Sequence, residues 1–239
     1  MNDIKKQSRR AAILYFLNAL PAPFALLYVP GVMMVRGDAT ATANNVRNSE
    51  VLLRLGIAGE LLSATIGIFA MVAFYRLFKA VSQKHAMAMI ILFLVATPIS
   101  YLNVLNDLAA LTFARGPEFL SAVFNPHQLD AFVLFFLRLH NQGLVLAQIF
   151  WGLWLFPFGI VLWRSGFIPR ILGVFAIVAG FGNVMASLAA LFLPTYAGVI
   201  NPYMTILQAG ELPLLWMVIW GANPHSGGHQ PAQPIPAAG

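Results

Sequence analysis

The chain contains no cysteine. Disulfides, thiol catalysis, cysteine-ligated zinc or iron–sulfur clusters and covalent c-type haem are therefore excluded. Charge is scarce as well. Asp, Glu, Lys and Arg make up 9% of the 239 residues, against about 25% in a soluble domain. No phosphate-cradling glycine loop leads into a helix start, so ATP-driven work is not indicated. No G-x-S-x-G or comparable serine turn occurs, which leaves a serine nucleophile without shaped support. The five histidines are too dispersed for paired-histidine haem, and only His140 lies near a long apolar run. The basic residues form no stripe interleaved with aromatics, so the net charge of +6 and pI near 10 do not point to nucleic acid.

What the chain has in abundance is hydrocarbon: 59% of its residues are hydrophobic and the mean hydropathy is +0.77. Apolar runs of twenty or so residues recur, as membrane spans require. Six spans are expected, at 11–35, 51–78, 86–113, a fourth ending at Trp163 and starting between Ala131 and Gln142, 171–193 and 204–220. Segment 129–163 would be about 50 Å of helix, longer than a hydrocarbon core of about 30 Å. Residues 129–137 then form a short interfacial helix, or the helix projects from the membrane. Pro21, Pro23, Pro98, Pro157 and Pro213 are candidate kinks. The basic start (Lys5, Lys6, Arg9, Arg10) followed by a long apolar run with two prolines reads better as a signal anchor than as a cleaved signal peptide.

Lys and Arg are unevenly shared between the two sides. Lys5, Lys6, Arg9, Arg10, Arg76, Lys79, Lys84, Arg164 and Arg170 fall on one, and Arg36, Arg47 and Arg115 on the other. The basic side is expected to be cytoplasmic, with both termini inside. Residues 36–49 and 114–127 read as outer loops. The tail 221–239, rich in Pro, Gly and His, lacks apolar periodicity and is expected to be disordered.

Self-similarity comes next. Ala58-Gly59-Glu60-Leu61 recurs as Ala209-Gly210-Glu211-Leu212, and Asn103-Val104 with Leu108–Leu111 recurs as Asn183-Val184 with Leu188–Leu191. Three parallel helical-hairpin repeats would explain this. Chance matching among Leu/Ala/Gly-rich helices is the alternative.

Four ionisable side chains fall inside spans: Glu60, Asp107, His140 and Glu211. Such residues are costly in lipid and usually face protein or a water-filled cavity. Counting from Arg76, Arg115 and Met204 puts the carboxylates in the outer half of the bundle. The amides Asn103, Asn106, Gln148 and Asn183 share that half. Asn103, Asn106, Asp107 and Ala110 fall at i, i+3, i+4 and i+7, one helix face. The expectation is a polar pocket opening outward. The amides are read first as helix glue, Trp151 and Trp154 as packing, and Arg54 and Arg138 as interfacial or as partners of Glu60 or Asp107.

Several stretches carry a family resemblance. They are Pro21-x-Pro23-Phe24-Ala25, the run GDATATANN at 37–45, LNVLNDLAAL at 102–111, AQIFWGLWLFP at 147–157 and SGFIPRILG at 165–173. Together they resemble bacterial domain-of-unknown-function family 4386. The resemblance implies a bacterial multi-pass membrane protein and implies no particular activity.

The sequence reading is an all-α, six-transmembrane-helix bundle (1–220) with a cytoplasmic tail (221–239), in a bacterial cytoplasmic membrane. Its partners are the lipid bilayer and a small-molecule or ion ligand, and not nucleic acid. A binding or transport-type protein leads, with Glu60, Asp107, His140, Glu211, Asn103, Asn106, Gln148 and Asn183 as pocket residues. No cofactor is expected and no metal is assigned. A structural or accessory subunit is the alternative. A hydrolase with a zinc site from His140, Glu60, Asp107 and Glu211 is the second.

Overall fold

The computed structural model describes residues 2–207 and 212–222. Among them there are only helices and connections. The order is α1 (Asn2–Ala19), a π-helical turn (Pro23–Tyr28), α2 (Val29–Met33), α3 (Ala39–Asn48), α4 (Glu50–Phe78), α5 (Gln83–Arg115) and α6 (Glu118–Ser121). There follow α7 (Pro126–Leu153), α8 (Leu155–Ser165), α9 (Arg170–Phe192), α10 (Pro194–Leu207) and α11 (Leu212–Ile219). Five segments are long and apolar enough to cross a membrane: Asp3–Met33, Glu50–Phe78, Gln83–Arg115, Pro126–Ser165 and Arg170–Phe192. Among the described residues the chain is all-α, with five segments that fit a multi-pass membrane protein where six were expected. The sixth, 204–220, is divided between the end of α10 and α11. At 1.5 Å per residue α11 is only about 12 Å long, and residues 208–211 between them lie outside the described residues. The tail beyond Ala222 lies outside them too.

Proline sets most of the interruptions. Pro21 and Pro23 end α1 and give way to the π-helical turn, because each removes a backbone donor and crowds the preceding carbonyl. Pro157 does the same to the carbonyl of Leu153, and the chain breaks at Trp154 between α7 and α8. Pro98 leaves α5 continuous, with Thr97 and Ser100 hydroxyls donating back to the carbonyls of Phe93 and Ala96. The fourth segment starts earlier than expected and no separate interfacial helix forms. Asn125 and Gln128 make a reciprocal capping box with Pro126 at the first turn. The segment 36–49, expected to be a loop, holds a helix, α3, capped by Asp38 accepting from the Ala41 amide at 2.8 Å. Arg47 of α3 pairs with Asp130 of α7 at 3.0 Å.

α7 packs between α5 and α9, while α1 packs on α4 and α8 on α9. Two apolar cores result. One lies toward the end of the bundle that carries the N-terminus, around Phe74, Phe78, Trp154, Phe158 and Ile168. The other lies toward the opposite end, around Met33, Val46, Val104, Leu111 and Val133. Between them runs a polar layer. There Ser63 donates to the Asn18 carbonyl at 2.6 Å, and Thr65 and Tyr101 hydroxyls meet at 2.5 Å.

The α8–α9 crossing depends on missing side chains. A Cβ on Gly159 would stand 2.5 Å from the Gly173 carbonyl oxygen, and one on Gly173 2.6 Å from that of Gly159. Such close approach is what small residues permit in membrane bundles. Gly159→Ala is therefore expected to lower stability by about 1–3 kcal/mol through overpacking, measured as thermal unfolding of the purified protein. Gly31→Ala, where the added methyl meets nothing within 4 Å, is the matched control and should leave the midpoint unchanged or slightly raised.

Candidate functional site

The LNVLNDLAAL stretch lies on α5 and turns its polar residues toward α7. Asn106 donates its amide to Asn103 Oδ1 at 3.0 Å, and Asn103 donates to the backbone carbonyl of His140 at 2.9 Å. The two amides thus form a chain that ends on α7. Room for it comes from Gly143, where any Cβ would collide with the Asn103 amide. On the other side of α7, Ser187 of α9 donates to the Val145 carbonyl at 2.9 Å. α7 is held at its middle from both flanks by side chains bonded to its own backbone. Gln148 donates to Asn183 Oδ1 at 3.2 Å, and Asn183 donates to the Ala179 carbonyl at 3.0 Å.

This clamp presents the His140 ring to two carboxylates. Nδ1 stands 3.1 Å from Asp107 Oδ2, and Nε2 stands 3.3 Å from Glu60 Oε1. The side chains of His140, Asp107 and Glu60 are 5%, 7% and 10% exposed, so all three are withdrawn from their surroundings. Nδ1 makes no well-directed hydrogen bond despite its short distance to Asp107. The three residues come from α7, α5 and α4, and together carry more negative than positive charge when the carboxylates are ionised. No arginine offsets it. Arg54 pairs with Glu50 at 2.8 Å, Arg115 also pairs with Glu50, and Arg138 is exposed on α7. Among the described residues no lysine or arginine pairs with Glu60 or Asp107.

Two spaces adjoin this group. A void of about 20 Å³ is bounded by Glu60, Asp107 and His140 with Ala25, Ile57 and Asn141. A larger cavity of about 270 Å³ lies on the other side of Glu60. Its polar wall includes Asn18, Ser63, Thr97, Ser100 and Asn183, and its aromatic wall Tyr15, Phe93, Trp151 and Trp154. Glu60 faces both spaces.

Of the residues singled out in the sequence, Glu60, Asp107 and His140 meet directly. Asn103 and Asn106 position the His140 segment, and Gln148 reaches the cavity wall through Asn183. Glu211 lies outside the described residues. The cavity also extends to residues for which sequence offered little. Ser63, Thr97 and Ser100 look like ordinary small polar residues of a span. Asn18 sits nearer the N-terminal end than the other amides. Trp151 and Trp154 read as packing, and Trp154 does belong to a core as well as to the cavity wall. The available signal was periodicity: Gly59, Glu60, Ser63 and Ala64 recur at helical spacing on one face of α4.

The chain matches the family described as Domain of unknown function (DUF4386) over residues 11–221, and belongs to it. No curated protein and no solved structure matches the chain.

The fit of Asn103 into the gap at Gly143 is open to a double-mutant cycle. Gly143→Ala is expected to destabilise by about 1–3 kcal/mol as a clash, and Asn103→Ala by about 0.6–1.7 kcal/mol as a lost interhelical bond. Together they should cost clearly less than the sum, because removing the amide makes room for the new methyl. Additive losses in thermal or denaturant unfolding would refute that account of Gly143.

Proposed function

We propose that this chain is a bacterial inner-membrane protein that binds, and moves or senses, a small amphipathic molecule in the cavity between its helices. In this reading the Glu60–His140–Asp107 group is a site for positive charge at the cavity's end. The observation that carries it is the uncompensated charge: buried Asp107 and largely buried Glu60 share one imidazole, with no arginine or lysine paired to them among the described residues. A structural ion pair would close on itself. A group left with excess negative charge in an apolar bundle favours taking up a proton, a metal ion or the cationic end of a ligand.

The cavity supports the same reading. At about 270 Å³ it lies just below the range of small-molecule sites, roughly 300–1,000 Å³. One wall is aromatic and the other carries hydroxyls and amides, which suits a molecule with an apolar body and a polar or cationic head. The Lys/Arg distribution favours an arrangement with the N-terminus in the cytoplasm, the void near Met33 and Met34 then facing the outer half. The threefold hairpin repeat remains our reading of the AGEL and Asn-Val echoes.

The test is ligand-induced stabilisation of the full chain in detergent or lipid nanodiscs. Short-chain alkylamines and alcohols serve as probes, read by thermal shift and by fluorescence of the cavity-wall tryptophans. A probe present at a hundred times its Kd should stabilise by about 2.7 kcal/mol. Glu60→Gln should remain folded and lose at least tenfold in amine affinity. If no probe shifts the wild-type protein, and Glu60→Gln and Asp107→Asn only lower its stability, the group is structural and the proposal fails.

A further inference from the structure

We propose that Glu60, Asp107 and His140 together hold one divalent ion of the late first-row transition series, with zinc as the type. The inference rests on the reading above that this group takes positive charge, and adds which kind. Three observations converge on it. Each residue offers one ligand atom, and the three atoms lie within 4.8 Å of one another. His140 Nε2 and Glu60 Oε1 are 3.3 Å apart. That is the separation of two ligands on a tetrahedral ion with bonds of about 2.0–2.1 Å, and a wider pair closes by rotation about the glutamate side-chain torsions.

The void that the three residues border, closed by mostly apolar neighbours such as Val29, Met33 and Leu137, is about 20 Å³, and a single water-sized occupant needs about 10–15 Å³. It holds one ion and little more. The His140 ring is buried, with Nδ1 3.1 Å from Asp107 Oδ2 and Nε2 turned to Glu60.

Charge and donor chemistry select the ion. A divalent cation with two carboxylates and a neutral imidazole sums to zero. A monovalent cation leaves the site negative. Magnesium and calcium prefer oxygen shells, whereas an imidazole nitrogen suits zinc, copper, iron or nickel. Three protein ligands would leave a coordination position open, as in catalytic rather than structural zinc sites. Glu60 also borders the larger cavity, so the open position lies next to the space assigned to the small molecule.

The supporting shell is already built. Asn103 fixes the backbone of His140 at 2.9 Å, and Asn106 fixes Asn103. Outer-shell bonds of this kind orient a ligand side chain.

The experiment is a metal titration of the full chain carrying His225→Ala and His229→Ala, which remove the tail histidines as competing ligands. The protein is stripped with chelator and titrated with cobalt(II), read by its ligand-field absorption, and separately with zinc(II), read by elemental analysis. One ion per chain is expected, with a low-coordinate cobalt spectrum and a raised unfolding temperature. Glu60→Gln and Asp107→Asn should each weaken binding at least tenfold. Folded protein that binds neither ion overturns the metal, as does cobalt held equally well by the two variants. Should the amine probes still depend on Glu60 in protein that binds no metal, the metal fails and the charge site stands. Stoichiometric metal in protein that no probe shifts supports the metal and removes the small-molecule reading.

Discussion

Two carboxylates on one imidazole, in a bundle whose described interior holds almost no other charge, are the constraint around which the described structure is arranged. Hydrocarbon offers nothing to solvate Glu60 and Asp107, so their positions have to be determined by the protein. His140 faces both, one ring nitrogen each. The arginines that would be natural counter-ions are engaged near the far end of the bundle, where Glu50 takes Arg54 and Arg115, and Asp130 takes Arg47. The charge imbalance is thus left at this group while the other pairs close among themselves. Exposed pairs contribute little to stability, so this distribution is better understood as keeping the arginines away from the site than as stabilising the fold.

The rest of the polar layer serves that group. Asn106, Asn103 and the His140 carbonyl form a chain of bonds across the α5–α7 interface, and Gly143 supplies the space in which the chain lies. α9 grips α7 through Ser187 in the same manner. A helix held from both sides by bonds to its own backbone cannot rotate without breaking them, so the imidazole is aimed by its supports rather than by its own contacts. The proline interruptions create the adjacent space. The π-helical turn at Pro23–Tyr28 supplies Ala25 to both the small void and the large cavity. The break before α8 brings Trp151 and Trp154 to the cavity wall. π-helical turns inside helices are frequent at functional sites because they rearrange a wall without ending the helix.

Membership of DUF4386 assigns class without chemistry, so the functional argument rests on side chains alone. Amides in membrane helices are common glue, and Asn103, Asn106, Gln148 and Asn183 all have partners that fit that role. Glu60 is different. It touches the imidazole, borders the void and borders the cavity, and no hydrogen bond between helix backbones depends on it.

Membrane class and the polar α5 face were legible in the sequence, because hydropathy and helical periodicity are local properties of the chain. So was the list of ionisable residues in spans, since any such residue in an apolar run is conspicuous. The start of α7 is also written locally, in the capping box of Asn125-Pro126-His127-Gln128, which precedes the apolar run by several residues. The helix α3 was hidden in a polar segment that reads as loop, because its capping by Asp38 and its anchoring to α7 outweigh its weak hydropathy. Which carboxylates share a histidine was decided only by tertiary structure. Glu60, Asp107 and His140 are 47 and 33 residues apart in turn, and the rotation of three helices brings them within contact. The same holds for the arginines. Arg54 is six residues from Glu60 and could have been its partner, but six residues along a helix turn it roughly 120° away, and Glu50, one turn before it, takes it instead.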